Sequence, residues 1–257
     1  LVDYDIEAVV HLAAQAIVPK ALLEPYETLD SNIRGTYSVL EACYRYRDGI
    51  KAMICMSSDK ALGSQKVPYT TDSVLKGRFP YDASKAAAEL MAHSYAETYT
   101  LPVVITRCSN IFGPWDTNES RLIPQTIKSI LDNCPPLIRS DGSPERDFIF
   151  VDDVVEGFLT LLDAMHPTVQ FARPGDIFHF SSGWPVSVLS IVQKILRLMD
   201  SLLQPEIHGT AKAEIDRQFM DFSKTERELG WKPKVSLDEG LKRTIEWWKN
   251  RQKEKRT

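Results

Sequence analysis

Short apolar runs alternate with helical stretches along most of this chain, and that alternation restricts the fold more than any other feature. Ala8–Leu12, Lys51–Met56, Val103–Arg107 and Ile177–Phe180 read as strands. Between and after them, 25–47, 81–99, 122–131, 152–162, 188–199, 223–229 and 237–249 read as helices. Strands separated by helices must return in the same direction, so the expected fold class is α/β. The expected architecture is a doubly wound parallel sheet of Rossmann type with a smaller mixed α/β substrate-binding lobe. The first run, Ala8–Leu12, is apolar enough to belong inside such a sheet, with neighbours on both sides. The expected division puts 1–110 and 148–182 in the dinucleotide-binding lobe. It puts 111–147 and 183–257 in the substrate lobe, with the ligand in a cleft between them.

Bulk properties narrow the function. The 257 residues carry a net charge of −4, which gives no basic footprint for nucleic acid or an acidic membrane surface. No apolar stretch reaches the roughly 18 residues that a membrane span needs, and no secretory leader is visible. Cys43, Cys55, Cys108 and Cys134 lie far apart in apolar runs without metal-ligand spacing. They read as buried, reduced thiols of a cytoplasmic protein, with no metal site. The basic tail from Lys249 to Thr257 reads as a solvated, frayed end.

Doubly wound sheets bind ligands at the carboxyl ends of their strands. The second strand ends in Ser57-Ser58-Asp59-Lys60, and the helix at 81–99 opens with Tyr81-Asp82-Ala83-Ser84-Lys85. Tyr81 and Lys85, four apart, share one helical face. A lysine ammonium beside a phenol favours the phenolate, which makes a base for an alcohol proton near neutral pH. Ser58 is placed to hold the same hydroxyl. A helix-surface pair would also explain Tyr81 and Lys85 taken alone.

The wider pattern is more specific. His11-Leu12-Ala13-Ala14-Gln15, Asn32-Ile33-Arg34-Gly35-Thr36, Ser57–Lys60, Tyr81–Lys85, Asn110–Pro114, Arg146–Asp153 and Leu229-Gly230-Trp231-Lys232-Pro233 occur in this order. Together they resemble the extended short-chain dehydrogenase/reductase family, the NAD-dependent nucleotide-sugar epimerases and dehydratases. The resemblance implies that Ser58 and Tyr81 act on the C4 hydroxyl of the sugar, while Lys85 holds the nicotinamide ribose and tunes Tyr81. It implies that Ala13, Ala14, Gln15, Ser57 and Cys108 line the cofactor, and that Asn32 braces the sheet. It assigns Asn110 to the substrate, Arg121, Arg146 and Arg217 to the nucleotide diphosphate, and Leu137 and Arg139 to the nucleobase. It also implies a homodimer through helices 25–47 and 81–99.

Within that family, a 4,6-dehydratase needs an extra acid and base after C4 oxidation, to remove the C5 proton and expel water from C6. Asp59-Lys60 stands where the family's dehydratases place such groups, which gives Asp59 the acid role and Lys60 the base role. A loop ion pair is the other explanation of the same two residues. Gln15–Val18 and Pro25–Thr28 resemble the CDP-glucose 4,6-dehydratase branch. Leu62 stands where the family usually has tyrosine, and Lys20-Ala21 replaces a common Arg-Ser. A 4-epimerase or reductase of the same family is the alternative, and a catalytically silent nucleotide-sugar-binding protein is the alternative outside enzymes.

Neither G-x-G-x-x-G nor G-x-x-G-x-x-G occurs in this sequence. A glycine-rich turn is what lets a pyrophosphate approach a helix N-terminus. We therefore expect a chain missing the first βαβα elements of its Rossmann lobe. Such a chain would bind NAD poorly and leave a sheet edge open.

Overall fold

The computed structural model describes residues 1–166, 168–169, 171–211 and 214–254. Two compact units emerge: Leu1–Cys108 with Val155–Ser181 and Met220–Lys232, and Ser109–Val154 with Ser182–Phe219 and Pro233–Thr257.

The first unit is organised on a four-stranded, all-parallel sheet. Its strands are β1 (Ala8–His11), β2 (Ala52–Ser58), β3 (Val103–Cys108) and, later in the chain, β8 (Ile177–Phe180), in the order β1-β2-β3-β8. Every residue of β3 is buried, as expected of a parallel strand with neighbours on both sides. Between the strands run α1 (Val18–Leu23), α2 (Pro25–Leu29), α3 (Gly35–Arg45) and α4 (Pro80–Tyr99). Leu40 and Cys43 of α3, Ala92 and Ala96 of α4, and Met53, Cys55, Val103 and Ile105 of the sheet fill one core. The parallel α/β fold expected from the alternation is thus present.

The open sheet edge expected of this chain falls at β1: among the described residues it pairs only with β2, and Val10 and Leu12 are exposed at 37% and 53%. Other local readings need correction. The stretch 25–47 is not one continuous helix. A single π-turn, Asp30–Arg34, interrupts it around Asn32, which is 1% exposed. Asn32 is drawn out of the ordinary helical spacing by partners elsewhere. Its Oδ1 accepts from Gln15 N at 2.7 Å, and its Nδ2 donates to Gln15 O at 3.0 Å and to Ser84 Oγ at 2.8 Å. Such π-turns insert one extra residue and recur at functional sites.

The second unit holds β4 (Asn110–Phe112), α5 (Leu122–Leu131), β5 (Leu137–Ile138), β6 (Glu145–Arg146) and β7 (Phe148–Phe150). Helix α6 (Val151–Met165) then leads back to the first unit and β8. The second unit resumes with β9 (Val186–Ser187), α7 (Val188–Leu198), β10 (Glu206–Ile207) and β11 (Arg217–Gln218). β4 pairs in parallel with β7, and β11-β6-β9 form a small mixed sheet. Helix α8 (Ser223–Leu229) belongs to the first unit and α9 (Leu237–Glu254) to the second. Phe112, Ile123, Ile127, Phe150, Ile191, Ile195, Leu241 and Ile245 form the core of the second unit.

Segment 220–232, expected in the substrate lobe, packs instead with the first unit. Thr225 Oγ1 donates to His179 O at 2.8 Å, Asp221 N donates to Tyr69 O, and Trp231 stacks edge-on against Phe180. Conversely, 148–154 groups with the second unit. The basic tail is not frayed from Lys249: α9 continues to Glu254, with Arg251 over the rings of Trp247 and Trp248. Residues 255–257 of that tail lie outside the described residues.

Candidate active site

The carboxyl end of β2 runs directly into a 3-10 turn, Asp59–Leu62, and Ser58 is its N-cap. Ser58 Oγ accepts from Lys60 N at 3.3 Å and donates to Asp59 Oδ1 at 3.1 Å. The serine expected to meet a sugar hydroxyl is therefore oriented by the acid beside it. Asp59 is only 2% exposed, whereas Lys60 is half-buried. Gly63 closes the turn at φ +60, where a Cβ would collide with the Lys76 carbonyl.

Helix α4 starts with Pro80 in its first turn, where a missing N–H costs nothing. Tyr81 and Lys85 follow on one face, 8% and 7% exposed. Lys85 Nζ donates to Met56 O on β2 at 2.6 Å. Burial holds the lysine pKa below its ordinary value, opposed by the fields of Cys55, Cys108 and Glu89. Ser84 Oγ donates to Tyr81 O at 2.7 Å and accepts from Asn32, so Asn32 ties the first turn of α4 to the Gln15 backbone. His11, at the end of β1, bonds Thr36 Oγ1 at 3.0 Å; its pKa is lowered by burial and by Lys85.

Sequence reasoning passed over one residue here. Asp82, between Tyr81 and Lys85, is 4% exposed. Its carboxyl is pushed above the usual range chiefly by burial; Lys60 opposes this and Asp59 reinforces it. Asp59, Lys60 and Asp82 thus form one charge-coupled group. The legible signal was an acid next to the tyrosine in the first helical turn.

The remaining expected cofactor residues fall into two kinds. Ala13, Ala14 and Gln15 follow β1, with Ala13 exposed and the other two half-buried. Ser57 and Cys108 are closed into the sheet at 3% and 2% exposure. Burial pushes the Cys108 thiol up to about 12, so it stays protonated. Ser57 Oγ is buried without a hydrogen-bond partner among the described residues. An orphaned hydroxyl and a buried ammonium with donors beyond its one bond to Met56 fit the nicotinamide-ribose end of a dinucleotide. Of the cysteines, Cys134 departs from expectation: it is exposed.

In the second unit the expected substrate arginines already have partners. Arg146, 7% exposed, pairs with Glu214 and donates to Glu145 O at 2.8 Å. Arg217 Nε meets Glu145 Oε2 at 2.5 Å, and the guanidinium lies 5.0 Å from the Phe219 ring. The β11-β6 register, Arg217 opposite Glu145 and Gln218 opposite Arg146, brings these two arginines together. Arg121 pairs with Asp116 at 3.3 Å, and Arg139 donates to Ser120 O at 3.3 Å. Leu137 is half-buried, and Asn110 Nδ2 donates to Asp147 O at 3.0 Å.

The parallel sheet, with Tyr81 and Lys85 on one helical face and Lys85 bonded to the strand that ends in Ser58, matches the arrangement expected of a nicotinamide-dependent oxidoreductase of the short-chain dehydrogenase/reductase kind. The sequence profile described as GDP-mannose 4,6 dehydratase matches residues 1–244. A mouse protein named dTDP-D-glucose 4,6-dehydratase is 34% identical across 96% of this chain and 71% of its own length. A UDP-glucuronate 4-epimerase of Thermodesulfobacterium geofontis is 32% identical across 96% and 73%. Among solved structures, a dTDP-glucose 4,6-dehydratase from Streptomyces venezuelae with NAD bound superposes with a TM-score of 0.87 at 29% identity, over 96% of this chain and 74% of that one. A UDP-glucose 4-epimerase from Thermotoga maritima gives 0.88 at 29% identity, over 96% and 78%. The chain belongs to the family of NAD-dependent nucleotide-sugar epimerases and dehydratases.

Proposed function

We propose that this protein is a nucleotide-sugar 4,6-dehydratase. It would oxidise C4 of a hexose nucleotide and eliminate water across C5–C6. The observation that carries this reading is the buried Asp59, fixed against Ser58 and coupled to Lys60 and Asp82. A simple epimerisation at C4 has no use for a buried acid there. Elimination requires one.

In this reading Tyr81, as phenolate beside the Lys85 ammonium, takes the C4 hydroxyl proton while Ser58 holds that oxygen. NAD would supply the hydride acceptor for C4 and the hydride donor for C6, which keeps the overall reaction redox-neutral. Lys85 and Ser57 would hold the nicotinamide ribose end, with Ala13, Ala14, Gln15 and the Cys108 backbone along the cofactor. The C4 ketone acidifies the C5 proton, which Lys60 would remove. Asp59 would give its proton to the C6 hydroxyl as it leaves as water. Asn110 would touch the sugar, Arg121, Arg146 and Arg217 the diphosphate, and Leu137 and Arg139 the base. Planar guanidinium groups pair two phosphate oxygens at once. For Arg146 and Arg217 this means exchanging carboxylate partners for phosphate. Relatives named for dTDP-glucose make that nucleotide sugar the first substrate to test.

The same reading includes a homodimer through α3 and α4, whose Tyr37, Leu90, Met91 and Tyr99 are exposed at 41%, 55%, 36% and 44%. It also places the protein in the cytoplasm; among the described residues no helix is long and apolar enough to cross a membrane. The test is turnover of dTDP-glucose, CDP-glucose and UDP-glucose with NAD, with products identified by NMR. A 4-keto-6-deoxy product that vanishes in Tyr81→Phe and falls sharply in Asp59→Asn supports the proposal. A C4-inverted sugar without a keto product would establish the epimerase reading, which the UDP-glucuronate 4-epimerase relative favours.

A further inference from the structure

The Tyr81–Lys85 face of α4 continues one turn further to Glu89, and Glu89 is met there by Arg107 of β3. Both side chains are closed off from solvent, at 0% and 2% exposure. Arg107 Nε lies 3.1 and 3.2 Å from the two carboxylate oxygens of Glu89, and its Nη2 lies 2.5 Å from Oε1. Nη1 donates to Thr71 O at 3.2 Å and faces His179 Nε2 on β8 at 3.4 Å. One guanidinium therefore joins α4, the segment between the 3-10 turn and α4, and β8. Register places Arg107 opposite Ser57 on β2, with its neighbour Cys108 opposite Ser58.

Stability is a weak explanation for such a pair. Removing two charges from water costs several kcal/mol per ion, and apolar replacements of a buried pair are often neutral or stabilising. The packing of α4 suggests another role. Its other buried residues beyond Lys85 are Ala88, Ala92 and Ala96. Alanines give close contact but no deep interdigitation, so they leave the axial setting of a helix loosely defined. A bidentate arginine–carboxylate contact defines both distance and direction.

We infer that the buried Glu89–Arg107 pair is a positioning device that sets the Tyr81–Lys85 face of α4 against the Ser58 strand end. This rests on the roles proposed above for Tyr81 and Lys85. Neither Glu89 nor Arg107 needs to touch substrate. They act by holding the base at its working distance, where a displacement of about 1 Å costs roughly a hundredfold in rate.

The test is the double variant Glu89→Leu/Arg107→Met, with Glu89→Asp as a milder partner that keeps the charge and shortens the reach by one methylene. The double variant should remain folded, because its replacements are apolar and of similar size, although the Thr71 carbonyl and His179 lose the donor that Arg107 gave them. Its kcat for sugar-nucleotide oxidation should fall about a hundredfold, and that of Glu89→Asp about tenfold, with KM within about threefold of the parent. A folded double variant with the parent's kcat overturns the inference. If the parent turns over no sugar nucleotide, the dehydratase reading fails, and the positioning inference is judged by ionisation of Tyr81 alone. That ionisation is isolated as the ultraviolet difference between each chain and its Tyr81→Phe counterpart. A higher titration midpoint in the double variant, from a phenol moved off the Lys85 ammonium, supports positioning. An unmoved midpoint overturns it.

Discussion

His179 makes the first unit acid-sensitive, by an amount that the structure sets. The ring sits on β8 at 0% exposure, with Nδ1 at 2.9 Å from Asp221 O and Nε2 facing Arg107. Arg107 can only donate, so Nε2 accepts, and the proton resides on Nδ1. Burial is the largest cause and Arg107 the next in lowering its pKa from 6.5 to about 3; Lys224 also lowers it, while the Asp221 carbonyl and charge raise it. The unfolded chain therefore binds a proton that the folded chain refuses between about pH 6.5 and 3. Stability from this group is complete above 6.5, declines as pH falls, and is flat below 3. Between pH 7 and pH 5 the loss is about 2 kcal/mol, close to 1 M in urea midpoint at a slope near 2 kcal/mol per M. The assay is urea unfolding of the parent and of His179→Asn at both pH values. Asparagine keeps a donor near the Asp221 carbonyl and cannot titrate, so other groups cancel in the comparison. The parent should lose about 2 kcal/mol more than the variant. An equal loss in both would refute the reasoning, and would mean that the ring accepts a proton without unfolding its surroundings.

Three further outcomes are expected. Lys85→Met should abolish activity yet raise stability at pH 7 by about 1 kcal/mol, because a lysine with a depressed pKa costs the fold most where it remains charged; the gain should shrink as pH rises toward 10.5, as thermal melts at pH 7 and 10 would show. Thiol titration should modify Cys134 rapidly in the native chain and reach all four cysteines only in denaturant, since Cys43, Cys55 and Cys108 are buried, with pKa values pushed up to about 11, 11 and 12. Arg217→Ala should raise the sugar-nucleotide KM about tenfold or more with little change in kcat, in steady-state assays, as the loss of one charge-assisted contact of 1.5–3 kcal/mol implies.

How much of this was legible in the sequence depended on how locally each feature is encoded. Helix α5 at Leu122–Leu131, strand β8 at Ile177–Phe180 and helix α8 at Ser223–Leu229 have the bounds that their residue patterns indicate. The two-residue strands β5, β6, β9, β10 and β11 were invisible because no periodicity can be expressed in two residues. Ser58 at the end of β2, and Tyr81 and Lys85 on one face of α4, stand where strand-end and helix spacing put them. The partners of the arginines were not, since Arg146 meets Glu214 across 68 positions and Arg107 meets Glu89 across 18, and only the folded backbone brings them together. Asp82 was in plain view, but its burial was not.

The π-turn at Asp30–Arg34 has an evolutionary consequence. Each residue of an α-helix turns the face by about 100°. A deletion in the regular helix between Arg34 and Leu40 would swing the core residues Leu40 and Cys43 by that angle relative to Asn32. A deletion within the turn itself would restore ordinary helical winding while leaving both flanks in phase with themselves, and would release Asn32 from Gln15 and Ser84. This helix therefore has one place where its length can change without disturbing the packing on either side. That place coincides with the residue which joins the first strand's loop to the helix of Tyr81 and Lys85, so a lineage that shortened the helix there would keep its fold and lose that tie.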